Sequence, residues 1–299
     1  MKTLKTTLFL LFLSFSFNLI GAQDNNLRLE TFLPNFPANG FLQVDDEGNL
    51  YASEYGVFTQ TGGSGTRIFK IAPNGVVIDT INNLKGPIGS LKDKFGNLYI
   101  NNANDTKSSD ILKINSLGQR EVFSKVQGWP IGMKMDSKNN IYLTNYNSPE
   151  IYKIDEKGKV SVFVSHKDFI GSAGIDFDSK GNLIIANFAT ASIFLISPNR
   201  KIKTIAKLSD IVVQGWGIGH LIVLEDNIYV TGIAINKIYK IDLNGDVKLF
   251  AGNGEPKGND GLLLDASINY PNGITADKKN KIIYISEYGR GGGIRKIQL

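Results

Sequence analysis

The chain has 299 residues, of which 42% are hydrophobic and none is cysteine, so burial and strand pairing must hold it together without disulfides. Its formal charge of +5 falls to +3 once Lys2 and Lys5 leave with the leader described next. Lys and Arg are scattered over turns and outer strands, with no basic block or aromatic-interleaved patch, which excludes nucleic acid as an expected partner.

Residues 1–22 place Lys2 and Lys5 ahead of an apolar run from Leu8 to Ile20 and the small pair Gly21-Ala22, the layout of a secretory signal peptide. Ser14, Ser16 and Asn18 interrupt the run, and it is too short for a hydrocarbon core of about 30 Å, so no membrane insertion is expected. The expectation is a secreted or periplasmic protein whose mature part, residues 23–299, is one domain and a monomer. Just past the leader, Leu27 to Phe32 alternates apolar and polar residues like a strand.

From there one phrase returns six times at a spacing of roughly 40 to 55 residues, the range of radial repeat arrays. Inner strands are predicted to begin near Gly40, Gly89, Gly132, Gly174, Gly219 and Gly273. Turns at Gly48-Asn49, Gly96-Asn97, Asn139-Asn140, Gly181-Asn182, Asp226-Asn227 and Asn280-Lys281 lead into second strands. Third strands read Ile68 to Ile71, Ile111 to Ile114, Ile151 to Ile154, Ile193 to Ile196, Ile238 to Ile241 and Ile294 to Ile297. Fourth strands such as Val160 to Phe163 and Val247 to Phe250 follow Gly turns, but the sixth repeat ends at Leu299 without one. The fold class is therefore all-β: a six-bladed β-propeller of four-stranded blades, closed by the N-terminal strand completing the last blade.

In such a ring the residue before each inner-strand Gly and the residue ending each second strand fall on one face of the disc. The first set is Asn39, Ile88, Ile131, Ala173, Ile218 and Asn272; the second is Glu54, Asn102, Asn145, Asn187, Gly232 and Glu287. Blades one and six share the tetrapeptide Ser-Glu-Tyr-Gly at Ser53–Gly56 and Ser286–Gly289. Glu54 and Glu287 with Asn39 and Asn272 could hold a divalent cation such as calcium, or the two Glu could serve as general acid and base. The plain alternative is that these side chains, like Asn102, Asn145 and Asn187, cap backbone groups where strands end. Trp129 and Trp216 precede inner strands on the same face and suit either a ligand wall or packing between blades, while His220, inside the fifth inner strand, suits either a channel-facing or a packed role.

Ala251-Gly252-Asn253-Gly254, Asp260-Gly261, Ala266-Ser267-Ile268, Pro271-Asn272-Gly273-Ile274 and Ile294-Arg295-Lys296-Ile297 resemble the NHL repeat. The mature chain as a whole is similar to six-bladed propellers of the gluconolactonase and regucalcin type. That resemblance implies a metal held by Glu, Asn and Asp, most of them in the slot before the inner-strand Gly. Here Ile88, Ile131, Ala173 and Ile218 fill four of those slots with side chains that cannot ligate a metal. Streptogramin lyases, whose blades look similar, carry a catalytic His in that slot, and none stands in it here. Two functions stay open: a gluconolactonase-like hydrolase of lactones or esters, or a non-catalytic module binding a small organic molecule or a peptide at the channel mouth.

Overall fold

Short alternating strands joined mostly by tight turns pair most readily with their chain neighbours, and a computed structural model shows them doing so around a common axis. It describes residues 26–59, 62–102 and 107–299; the leader falls outside them. Five blades are four-stranded meanders. Blade one comprises Leu42–Val44, Leu50–Ser53, Ile68–Ile71 and Val77–Ile81. Blade two runs from Pro87–Lys92 to Arg120–Gln127, blade three from Pro130–Met135 to Val160–Ser165, blade four from Ser172–Phe177 to Ile202–Lys207, and blade five from Ile218–Leu224 to Val247–Ala251.

Blade six contains Pro271–Asp277, Ile282–Glu287 and Ile294–Gln298, and takes its fourth strand from the other end of the chain. Arg28–Leu33 runs antiparallel to Ile294–Gln298, with Leu29 opposite Ile297 and Thr31 opposite Arg295. The predicted closure is thus present, and a two-residue strand, Gly261–Leu262, pairs outside Arg28–Leu33 as a fifth member.

The hydrophobic core is divided among the blade junctions. Blades five and six pack Ile222, Tyr229 and Phe250 against Leu29, Ile283 and Ile297, and blades two and three pack Leu91 and Ile111 against Met133 and Leu143. These residues come from alternate positions of each strand, which is why the period-two pattern is legible in the sequence. At the far rim Asp side chains cap the hairpin turns: Asp136 Oδ1 accepts from the Asn140 amide at 2.9 Å, with equivalents at Asp45, Asp93, Asp178 and Asp277. Blade five instead turns through Glu225 and Asp226, both at positive φ.

Strand pairing corrects the predicted register of two inner strands. Gly132 and Gly273 donate their N–H to the hydroxyls of Thr144 and Ser286, each one residue before the end of its second strand. In blade five the residue doing this is His220, bonded to Thr231 Oγ1 at 3.0 Å, and in blade one Ser53 is paired with Phe41. Gly219 and Gly40 therefore lie one position earlier than the glycines of the other four blades. His220 and Phe41 stand where Gly89, Gly132, Gly174 and Gly273 stand elsewhere. Ile218, expected at the channel, is instead fully buried in the core between blades four and five.

Candidate functional site

The loops between second and third strands and the entries to the inner strands open on one face, and there they enclose a cavity of about 300 Å³. Its floor is formed by Ile88, Ile131, Ala173, Gly219, His220 and Asn272. Its wall is a belt of aromatic rings in successive contact: Phe58 to Trp129 at 5.6 Å between centroids, Trp129 to Tyr146 at 5.4 Å, Tyr146 to Phe188 at 6.0 Å, Phe188 to Trp216 at 5.6 Å and Trp216 to Tyr288 at 5.6 Å. The Phe58 N–H donates to Tyr288 Oη at 3.1 Å and closes the circle. Most of these pairs are tilted or edge-on, the orientation that aromatic quadrupoles favour.

Local geometry explains why these residues reach the cavity. Tyr146, Phe188, Ile233 and Tyr288 each directly follow the residue that ends a second strand, and Tyr55 follows Glu54, one residue past the end of its own. Trp216 is presented by a tight turn in which Gln214 and Gly215 both have positive φ and Val213 bridges Trp216. Tyr55 is buried, and that burial, followed by the neighbouring Tyr288 and Tyr146 phenols, pushes its phenol pKa up and keeps it neutral.

Of the residues singled out in the sequence, Trp129, Trp216, His220 and Asn272 meet in this cavity. Both tryptophans of the chain are therefore in its wall. Asn39, Glu54 and Glu287 line a separate, shallower groove between blades one and six, beside Gly289 to Gly292. There Glu54 accepts a bidentate pair from Arg67, at 2.9 and 2.7 Å, and this pairing holds its carboxyl below the usual range. Glu287 is buried and bound by Arg295 Nη1 at 3.1 Å, the Asn269 N–H at 2.9 Å and the Gly293 N–H at 3.1 Å. Asn39 uses both ends of its amide on Gly56. Asn102 accepts from Lys85 N, Asn145 bridges the Trp129 N–H and the Gln127 carbonyl, and Asn187 bridges the Thr190 N–H and the Ile170 carbonyl. These three behave as backbone caps.

That geometry does not fit a hard cation. The oxygens of Glu54, Glu287 and Asn39 are engaged by N–H donors, and Asn272 lies in the cavity, with its Nδ2 donated to the Asn39 carbonyl at 2.8 Å. No group of three His, Cys, Asp or Glu side chains is placed to hold a metal among the described residues.

His220 is 3% exposed, and Phe41 stands edge-on behind it with centroids 5.3 Å apart. Desolvation drops its pKa to about 4, so the ring is neutral at physiological pH. The folded value is depressed below the unfolded one, near 6.5, so the unfolded chain binds the proton first as pH falls. Stability is then lost between pH 6.5 and 4, by about 2 kcal/mol at pH 5. His220→Phe should flatten this dependence in urea titrations at pH 7 and 5; equal losses in variant and wild type would contradict it.

A six-bladed β-propeller with an aromatic, charge-free cavity at its channel mouth is thus the class of protein defined. No protein-family model and no curated protein matches the sequence. Solved structures do share the fold. An auxiliary nutrient binding protein from Bacteroides ovatus aligns with a TM-score of 0.70 at 18% identity, covering 91% of this chain and 76% of that one. A catalytically inactive virginiamycin B lyase from Staphylococcus aureus, solved with quinupristin, gives 0.60 at 16% identity, covering 89% and 83%. A gluconolactonase from Xanthomonas campestris gives 0.62 at 13% identity, covering 91% and 89%. Among the described residues no helix is long and apolar enough to cross a membrane.

Proposed function

We propose that this chain is an exported propeller that binds a small, largely planar organic molecule in the aromatic cavity and releases it unchanged. The observation that carries this reading is the continuous belt from Phe58 to Tyr288 around a floor that contains no carboxylate, lysine or arginine. Pockets of this size, apolar with a few polar atoms, bury most of a small ligand, and aromatic walls favour flat rings. The leader-like residues 1–22 and the fold shared with a nutrient binding protein support a role outside the cytoplasm. A hydrolase of lactones or esters is the second reading, favoured by the fold shared with gluconolactonase. It is the weaker one because Glu54 and Glu287 spend their carboxylates on Arg67 and Arg295.

The test is a thermal-shift and tryptophan-fluorescence screen of uncharged bicyclic aromatics against residues 23–299, beside a lactone panel assayed for turnover. Binders should raise the melting temperature and change the emission, and Trp216→Ala should weaken them about tenfold, the scale of one lost aromatic contact. A Trp216→Ala protein that binds as well as wild type, or rapid lactone turnover, would overturn the reading.

A further inference from the structure

The cavity floor presents an oxygen held in place. Asn272 donates its Nδ2 to the Asn39 carbonyl at 2.8 Å, and because a carbonyl can only accept, this bond turns the amide oxygen the other way. That Oδ1 stands over Gly219, where a Cβ would lie 2.9 Å from it and 2.8 Å from the Asn272 carbonyl, so glycine leaves bare backbone beside the oxygen. Gly219 and Asn272 both line the cavity. No group among the described residues donates to Oδ1, and it keeps accessible surface in a residue that is only partly buried. Its hydrogen bond is left for whatever enters the cavity. Other polar side chains there are less available: Tyr288 Oη already accepts from the Phe58 N–H at 3.1 Å, and Gln214 is exposed at the rim. A flat apolar molecule covering the floor would strip Oδ1 of water and return nothing, a cost that a donor on the ligand removes.

Resting on the ligand-binding reading above, we infer that the site selects flat aromatic molecules carrying an O–H or N–H donor, which Asn272 Oδ1 accepts. Asn272 is then the specificity-determining residue, while the aromatic belt supplies affinity to any flat ring. The donor is a neutral one, since no carboxylate lines the cavity to balance a buried cation. A site that accepts a ligand's hydrogen rejects the analogue lacking it more sharply than an apolar wall rejects a change in size. In a wholly apolar cavity the preference would run the other way, because a buried hydroxyl without a partner is a loss.

Calorimetric titration of residues 23–299 with three probes of similar outline tests this: β-naphthol, which donates, β-methoxynaphthalene, whose oxygen only accepts, and β-methylnaphthalene, which does neither. β-Naphthol should bind at least about tenfold tighter than either analogue. Asn272→Leu should erase that advantage and leave β-methylnaphthalene unaffected, whereas Asn272→Asp, which keeps an accepting oxygen, should retain it. Both variants lose the bond to the Asn39 carbonyl; should neither fold, the order of the three probes on the wild-type protein decides alone. Either analogue binding as tightly as β-naphthol, or a β-naphthol advantage that survives in Asn272→Leu or is missing from Asn272→Asp, would overturn the selectivity and leave the binding reading intact. Silence from all three probes would contradict the binding reading itself, and the selectivity with it.

Discussion

Deleting residues 24–33 is expected to abolish the cooperative melt of the whole ring. Arg28–Leu33 contributes the fourth strand of blade six, and without it Ile294–Gln298 becomes a bare edge next to the junction with blade five. Leu29 is fully buried in that junction with Ile283, Ile297 and Phe250. Leu29→Ala alone should cost about 2–5 kcal/mol, the range for emptying a buried leucine site. The truncation removes this packing together with one ladder of a closed ring, and a propeller opened at one blade loses the mutual support of the others. Circular dichroism melts of the full mature chain, Leu29→Ala and the truncated chain should fall in that order. A truncated chain that melts at the wild-type temperature would show that closure does not depend on this strand.

The second large effect is expected from Arg295→Met. Arg295 is 1% exposed and donates to Glu287 Oε1 at 3.1 Å, the Ser267 carbonyl at 2.9 Å and Asp260 Oδ1 at 2.7 Å. Asp260 in turn accepts from Thr31 Oγ1 at 2.8 Å, so the guanidinium ties the closing strand to the loop beside it. Removing it leaves the buried Glu287 carboxylate without its counter-ion. Breaking one side of a buried pair costs about 3–5 kcal/mol, or on the order of 10 °C in melting temperature. Adding Glu287→Gln should restore much of the loss, because the residual amide bonds without a charge. An Arg295→Met protein as stable as wild type, or a double variant worse than the single, would contradict this assignment.

The blades and their closure are legible in the sequence because strand alternation and turn chemistry are local. Leu27 to Phe32 shows its pairing pattern although its partner strand lies at the other end of the chain, because the missing fourth strand of blade six leaves it only one place to go. The site was less legible, for two physical reasons. Successive side chains on a strand point to opposite faces, so at each second-strand end the polar residue, such as Asn145 or Glu287, turns to the backbone. Its apolar neighbour, Tyr146 or Tyr288, enters the cavity. The signal that could have found the wall is the aromatic residue recurring directly after those polar positions at Tyr55, Tyr146, Phe188 and Tyr288. Glycine was also an unreliable register mark. Gly219 and Gly40 suit a close approach of neighbouring backbone, and only the hydrogen bonds to Thr231 and Ser53 reveal that His220 and Phe41 hold the position glycine has in the other blades.

Because the chain contains two tryptophans and both line the cavity, 5-fluorotryptophan labelling turns the site into two fluorine resonances. With any planar binder found in the thermal-shift screen, both resonances should shift and saturate together at the stoichiometry that calorimetry gives. A ligand that binds with measurable heat while both signals stay where they are would place recognition elsewhere on the ring and contradict the aromatic cavity as the functional site.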